Sequence, residues 1–476
     1  MKRPSAFLLV GSVLAILPFA GCEDDPTSPA KDAGTDSPAH PVDGGPLPEV
    51  DGSTPDGSVF DAGQDAGPPP VTVVVTKGGL PDQGVNVIFQ DASGMLVGTA
   101  ITGADGTARS PVIDGSQLTV ALGTTGNRQL ITYLGIKAGD VIKVVEKVSR
   151  DVSITQTVFG AGGGDTVVVG NSNCSTSALS TGNLVSIQAT SDCISGPTFP
   201  ILSVLNNAGT YYSFKKDNAL AASGTTNVSG LSAWTLGSAF TLNVANAPAG
   251  SNPAAYVGQI ANNESYATSA TGQFTLNAGA GTASFSVATG YADALQGEVQ
   301  FTAYPQGGFQ QITSFAKRIA AAGASSQSLD LSAGMLPGLL SVSATSGVAR
   351  PVLTWTAASS LASTDGGVVG LSFFQIIDGG TETVDWTFVV PPGTLTVTVP
   401  QLPAQLSAFA PSESSVVYTP RVAFFESDLL PGYDMVRANA ASFGLTSLPF
   451  VAFPVLRSPA LPAAGTLRIT AIGLGG

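Results

Sequence analysis

Val71-Thr72-Val73-Val74-Val75, Gly78-Gly79-Leu80-Pro81, Gly84-Val85-Asn86-Val87-Ile88-Phe89 and Asp91-Ala92-Ser93-Gly94 follow one another almost without interruption, and this stretch decides the fold. A β-branched run, a Gly/Pro break, an alternating run and an Asp/Gly turn give the period-2 pattern of a half-buried strand. Another such run spans residues 97–102, and Asp105-Gly106-Thr107-Ala108 turns into the next. Turns about every ten residues predict an antiparallel β-sandwich.

Composition extends this prediction to the whole chain. Of 476 residues only 11% are charged, while 57 are Gly and 32 are Pro. Lys and Glu, which solvate the outer faces of helices, are scarce, so many short strands and few long amphipathic helices are expected. The fold class expected is all-β, built of tandem antiparallel β-sandwich modules that follow a disordered acidic linker. Four spans are expected after that linker: 71–147, 148–250, 251–348 and 349–476. A hairpin is predicted over 298–319 around Gly307-Gly308, and residues 315–322 are compatible with a short helix.

Charge is distributed unevenly. The net charge is −14, and residues 23–70 hold eleven acids against a single base, Lys31. With Lys2 and Arg3 near the start, residues 71–476 are left with 22 acids and 16 bases. Neither part has a basic patch, which argues against a nucleic-acid partner. The 23–70 segment, rich in Pro, Asp, Gly and Ser, cannot bury enough apolar surface to offset its ordering entropy. As a flexible chain it has a span of roughly 40 Å. Its repeated Asp-Gly units lack the alternate-acid spacing and closing Glu of an EF-hand loop.

One histidine, His40, occurs in the chain, and it lies in that segment. Ser-His-Asp and Cys-His catalysis both need an imidazole beside the nucleophile. The common zinc sites need His or several Cys. Gly-x-Ser-x-Gly, Gly-x-x-x-x-Gly-Lys and His-Glu-x-x-His are all absent from the sequence. No catalytic residue, metal ligand or cofactor is therefore assigned, and a non-enzymatic protein is expected.

Two cysteines follow residue 70, Cys174 and Cys193, nineteen apart. In an oxidising compartment such a pair forms a disulfide, and a loop of this size stabilises by roughly 3 kcal/mol in the chain-entropy model. No Cys-x-x-Cys spacing suggests redox chemistry.

The densest carboxylate cluster lies between residues 421 and 437. Glu426 and Asp428 share a strand face if the strand persists, with Phe424, Phe425, Tyr433 and Asp434 close by. Acids beside aromatics suit a glycan or calcium site, and two acids across a cleft would suit a glycosidase. The alternative is structural: Phe424 packs inward, the acids face water, and Pro431-Gly432 turns.

The N-terminus carries a second signal. Met1-Lys2-Arg3 is followed by an apolar run over residues 6–17, too short to span a ~30 Å hydrocarbon core comfortably and ordered like a secretory signal. Leu17-Pro18-Phe19-Ala20-Gly21-Cys22 closes it and resembles the bacterial lipobox, with Phe19 where Leu is usual. The resemblance implies a signal peptide over 1–21, lipidation of Cys22, and membrane attachment through N-terminal acyl chains. An ordinary signal peptide with a chance cysteine and a retained anchor helix are the alternatives. The acids after Cys22 resemble both inner-membrane retention and surface-export signals, so they do not discriminate. The location expected is the cell envelope, on the outer membrane in preference to the inner.

Two further resemblances concern the modules. Gly79-x-Pro81-x-x-Gly84-Val85-x-Val87 with Thr102-x-x-Asp105-Gly106-Thr107-Ala108 resembles the carboxypeptidase regulatory-like (transthyretin-like) sandwich over residues 71–147. That family implies a spacer or adhesion module and brings over no functional residue. Pro351-Val352-Leu353-Thr354-Trp355 and the run Thr394-Leu395-Thr396-Val397-Thr398-Val399 resemble fibronectin type III modules. Together these imply a structural or adhesive envelope lipoprotein whose protein or glycan partner the sequence does not identify.

Overall fold

Val71–Lys77 shows why the pattern folds as it does. Val71, Val73 and Val75 are fully buried, while Thr72, Val74 and Thr76 on the opposite face are only partly covered. In the computed structural model the described residues are 68–124 and 127–146, the strand segments between 149 and 228, and 235–474. Within the last range, 249–252, 262–263, 268–271, 289, 291, 305–308, 322–323, 333, 346–347, 378–379, 413–414, 418–419 and 442–460 are excepted. The expected signal peptide, lipobox cysteine Cys22, acidic linker up to residue 67, Cys174 and Cys193 all lie outside the described residues. Those described belong to one compact unit, Asp65–Gly476.

The chain is all-β, as expected. Val71–Lys77 pairs antiparallel with Thr107–Ser110 and parallel with Val141–Glu146 in a small sheet. Gly106 makes the turn before Thr107–Ser110 at φ +71, and a Cβ there would meet the Val75 carbonyl oxygen at 2.5 Å. Only glycine fits that approach.

The small sheet packs on a much larger one. Among the described residues fourteen strands join in the latter. Twelve lie in the order Glu264–Ala267, Pro253–Ala261, Ala294–Ala303, Phe309–Ala321, Thr466–Leu474, Arg421–Ser427, Gly366–Ile377, Gly380–Val390, Asn127–Ile136, Ser116–Thr124, Asn86–Gln90 and Leu96–Ile101. Every pairing along this path is antiparallel except one, where Gly380–Val390 runs parallel to Asn127–Ile136. Strands from three of the four expected spans, 71–147, 251–348 and 349–476, share this one sheet.

Alternation gives this long sheet two buried faces. On one, Val120, Ile131, Val389, Ala423 and Ala471 meet Val71, Val73 and Ile142 of the small sheet. On the other, Leu130, Phe373, Trp386, Phe388 and Phe424 meet Leu339, Leu353, Trp355 and Val397 of a three-stranded sheet. Further along that second face, Val299 and Phe315 pack against Phe240, Leu242 and Phe285. These last belong to Thr235–Ala245 and Gly281–Ala288, part of a seven-stranded sheet that reaches back to Thr166–Gly170. Burial on both faces explains why Arg421–Ser427 reads Val-Ala-Phe-Phe without alternation.

The predicted hairpin is present as Ala294–Ala303 and Phe309–Ala321. The short helix considered at 315–322 is not: through Ala321 those residues are strand, paired on one side with Ala294–Ala303 and on the other with Thr466–Leu474. Cross-strand pairing on both edges overrides the local helix propensity of its alanines.

The parallel seam is stitched by polar groups. The Trp386 indole Nε1–H donates to Thr132 Oγ1 at 2.8 Å, and Thr132 and Thr119 hydroxyls meet at 2.8 Å. The Thr119 hydroxyl reaches the Gln90 side chain at 3.1 and 3.3 Å. All four residues are at most 1% exposed. Arg128 forms a buried ion pair with Glu382 across the same seam, and its guanidinium lies 5.5 Å from the Phe409 ring centroid.

Candidate functional site

The three acids singled out from the sequence are placed by different elements and hold different partners. Arg421–Ser427 ends at Ser427, so Glu426 and Asp428 do not continue along one strand face. Glu426 receives the Arg468 Nη1 at 2.8 Å on both carboxylate oxygens, across the pairing with Thr466–Leu474. Asp428 lies in the turn beyond, where its Oδ2 accepts the Thr466 amide at 2.7 Å and hydroxyl at 2.9 Å.

Asp434 sits on a helix, Tyr433–Asn439, that begins directly after Gly432. Its carboxylate takes the Lys137 ammonium at 2.9 Å and Arg437 Nη2 at 3.1 Å. The Lys137 hydrogen bond, aided by the Arg437 charge, holds the Asp434 carboxyl below the usual carboxylate range. Arg437 is 1% exposed, bonds Asp140 Oδ2 at 2.8 Å, and lies 5.2 Å from the Tyr433 ring centroid. The Tyr433 hydroxyl donates to the Leu134 and Val389 carbonyls at 2.7 and 3.0 Å. Burial pushes that phenol's pKa up. The helix is therefore clamped across the parallel seam, and Asp434 is part of the clamp.

A fourth acid, Asp365, organises the same loop and carried no motif to mark it. Its two oxygens accept the Ser427 and Gly432 amides, each at 2.6 Å. No hydrogen bond or ion pair links Glu426, Asp428 and Asp434 to one another, and no metal-sized group of three His, Cys, Asp or Glu occurs among the described residues.

A concave surface lies elsewhere, at the end of the long sheet. A cleft of about 480 Å³ is lined by Phe89, Val97, Val112 and Ile113, with Asp91 and Asp114 among its polar groups. It opens beside Leu96–Ile101, the terminal strand, which pairs only with Asn86–Gln90 among the described residues. Val97 is 69% exposed, Ile101 63% and Ile113 83%. A register shift between Phe89 and Gln90 leaves Val97 as the bulged residue.

Asp91 fixes the turn that launches this strand. Its Oδ1 accepts the Ser93 hydroxyl at 2.7 Å and the Ser93 and Met95 amides at 2.9 Å. Those bonds, the Ser93 hydroxyl first, hold the carboxyl below its ordinary value and keep it charged. Arg350 ties the turn to the neighbouring sheet through Ser93 O and Val399 O at 2.8 and 2.9 Å.

No family model matches the chain, and no curated protein matches it significantly.

Proposed function

We propose that the chain is a non-enzymatic envelope lipoprotein in which acylated Cys22 anchors, residues 23–70 space, and the β unit beginning at Val71 presents a structural or adhesive surface. The observation that carries this reading is the order of signals in the sequence: basic start, short apolar run, Ala20-Gly21-Cys22, acidic Pro/Gly segment, then strands. One acyl chain binds membranes only marginally, and two or three make attachment effectively permanent at about 0.8 kcal/mol per buried CH₂. Export would also place Cys174 and Cys193 where a disulfide forms.

The fold supports the scaffold part of the reading through the use it makes of its acids. Glu426, Asp428, Asp434 and Asp365 all spend carboxylate oxygens on holding strands, a helix and a loop together. That weighs against the glycan, calcium and glycosidase readings of the 421–437 cluster. Among the described residues no helix is long and apolar enough to cross a membrane.

The test is Cys22→Ala in a bacterial host, followed by membrane fractionation and intact mass. Release from the membrane fraction, or retention of the leader, is expected. Unchanged partition with unchanged mass would remove the lipid anchor from the proposal.

A further inference from the structure

The turn that launches Leu96–Ile101 meets the neighbouring three-stranded sheet through Arg350. The guanidinium donates from Nε to Val399 O and from Nη2 to Ser93 O, and its Nη1 faces the Met95 sulfur at 3.0 Å. The approach is close because position 94 is glycine, at φ +78: a Cβ there would meet Arg350 Nη2 at 2.9 Å and the Pro400 Cα at 3.2 Å. The backbone around the sulfur is pinned. Met95 donates its amide to Asp91 Oδ1 at 2.9 Å and accepts the Asp91 amide at 2.9 Å, while the Gln401 amide reaches Gly94 O at 2.8 Å.

A thioether is a weak acceptor, so one arm of the guanidinium is aimed at a far poorer partner than the carbonyls that hold the other two. Oxidation changes that partner. A sulfoxide carries a polar oxygen on the same sulfur, and hydrogen bonds from a guanidinium are roughly twice as strong as neutral ones. Met95 is 44% exposed, so a small oxidant reaches it and the side chain has room to draw back for the added oxygen. Met335 is only partly buried, packed against the Phe240 cluster, and Met435 is 46% exposed. Exposure alone therefore does not single out Met95. The donor already facing its sulfur does.

We propose that Met95 is an oxidation site whose sulfoxide oxygen is held by Arg350 Nη1 and fastens the 91–95 turn to the three-stranded sheet. The oxidant is hydrogen peroxide or another hydroperoxide. The sulfur lone pair attacks a peroxide oxygen, the S–O bond forms as the O–O bond breaks, and the proton of the transferred hydroxyl passes to the departing oxygen. With hydrogen peroxide the products are the sulfoxide and water; sulfur gives up an electron pair and the peroxide takes it. Methionine sulfoxide reductases, one for each epimer, restore the thioether. Oxidised methionine usually disrupts the packing around it. Here the product gains a partner, and the effect on local stability has the opposite sign. The inference goes beyond the anchor-and-scaffold reading and does not rest on it.

The test treats the full chain carrying Met435→Leu with hydrogen peroxide, locates the added oxygen by peptide mapping, and follows amide exchange by mass spectrometry. Conversion of Met95 should slow exchange in residues 91–96 and 399–401 by about three- to ten-fold, the range that one charge-assisted hydrogen bond supports. With Met95→Leu added, peroxide should leave exchange in these segments unchanged. Arg350→Gln should abolish the slowing while Met95 still takes up oxygen. Met95→Gln puts a carbonyl oxygen near the position of the sulfoxide oxygen, so it should slow exchange with no peroxide added, and it serves as the test if Arg350→Gln does not fold. Unchanged or faster exchange after full conversion of Met95, or equal slowing in the Arg350→Gln chain, would overturn the proposal. So would a Met95→Gln chain that exchanges no more slowly than its parent, or a Met95 that stays a thioether under peroxide that converts Met435 in the unsubstituted chain.

Discussion

Thr132→Val is the sharpest perturbation of the parallel seam, because it deletes one hydroxyl and almost nothing else. Thr132 is fully buried and sits between the Trp386 indole at 2.8 Å and the Thr119 hydroxyl at 2.8 Å. Valine has nearly the same shape, so no cavity opens. The indole has a single donor, and without Thr132 it is left buried and unpaired, at a cost of about 1–3 kcal/mol. Thr119 keeps Gln90 as a partner, so its loss is smaller, about 1 kcal/mol. Burying a methyl in place of a hydroxyl returns some of this, and the net expectation is about 2 kcal/mol. Against a typical total of about 5–15 kcal/mol, that is a visible shift in a urea midpoint. Trp386→Phe in both backgrounds completes a double-mutant cycle, since valine at 132 should cost little once the indole donor is gone. A coupling of about 1–2 kcal/mol is expected. Hydrogen exchange supplies the structural half of the test: protection in Asn127–Ile136 and Gly380–Val390 should fall together. A coupling below about 0.3 kcal/mol, or loss of protection on one side only, would refute the claim that this ladder joins two distant spans of chain into one sheet.

Asp365→Ala should destabilise by about 2–3 kcal/mol in denaturant unfolding, because two backbone amides lose a charged acceptor at 2.6 Å; Asp365→Asn, with one oxygen left, should recover part of it. Ala278→Gly should stabilise by about 0.5–1 kcal/mol. Ala278 and Gly279 both have positive φ, +48 and +80, and relieving roughly 1–2 kcal/mol of left-handed strain outweighs the entropy glycine adds to the unfolded chain. A lower melting temperature for Ala278→Gly would contradict the second estimate.

Local pattern disclosed the strands and missed their neighbours. Val71–Lys77 alternates because one sheet covers one of its faces, and that covering leaves its mark in consecutive residues. The pairing of Gly380–Val390 with Asn127–Ile136 leaves no such mark, since a parallel register across some 250 residues is set by tertiary packing alone. The partners of the candidate acids were hidden for the same reason. A sequence shows carboxylates close together, yet Lys137 reaches Asp434 from 297 positions away and Arg468 reaches Glu426 from 42. The helix Tyr433–Asn439 is too short for its period to show, and its residues read instead as acids beside aromatics. This sharing of one sheet has a physical consequence. Each sandwich standing alone would expose edges at both ends of its sheets, and joining them hydrogen-bonds most of those edges to one another. The burden then falls on the few strands left at the ends. Leu96–Ile101 is such an end, and it carries valine and isoleucine into solvent where lysine would have closed it. The bulge at Val97 and the Leu96 amide's bond to Gln401 Oε1 at 3.4 Å are what that end has in place of a charge.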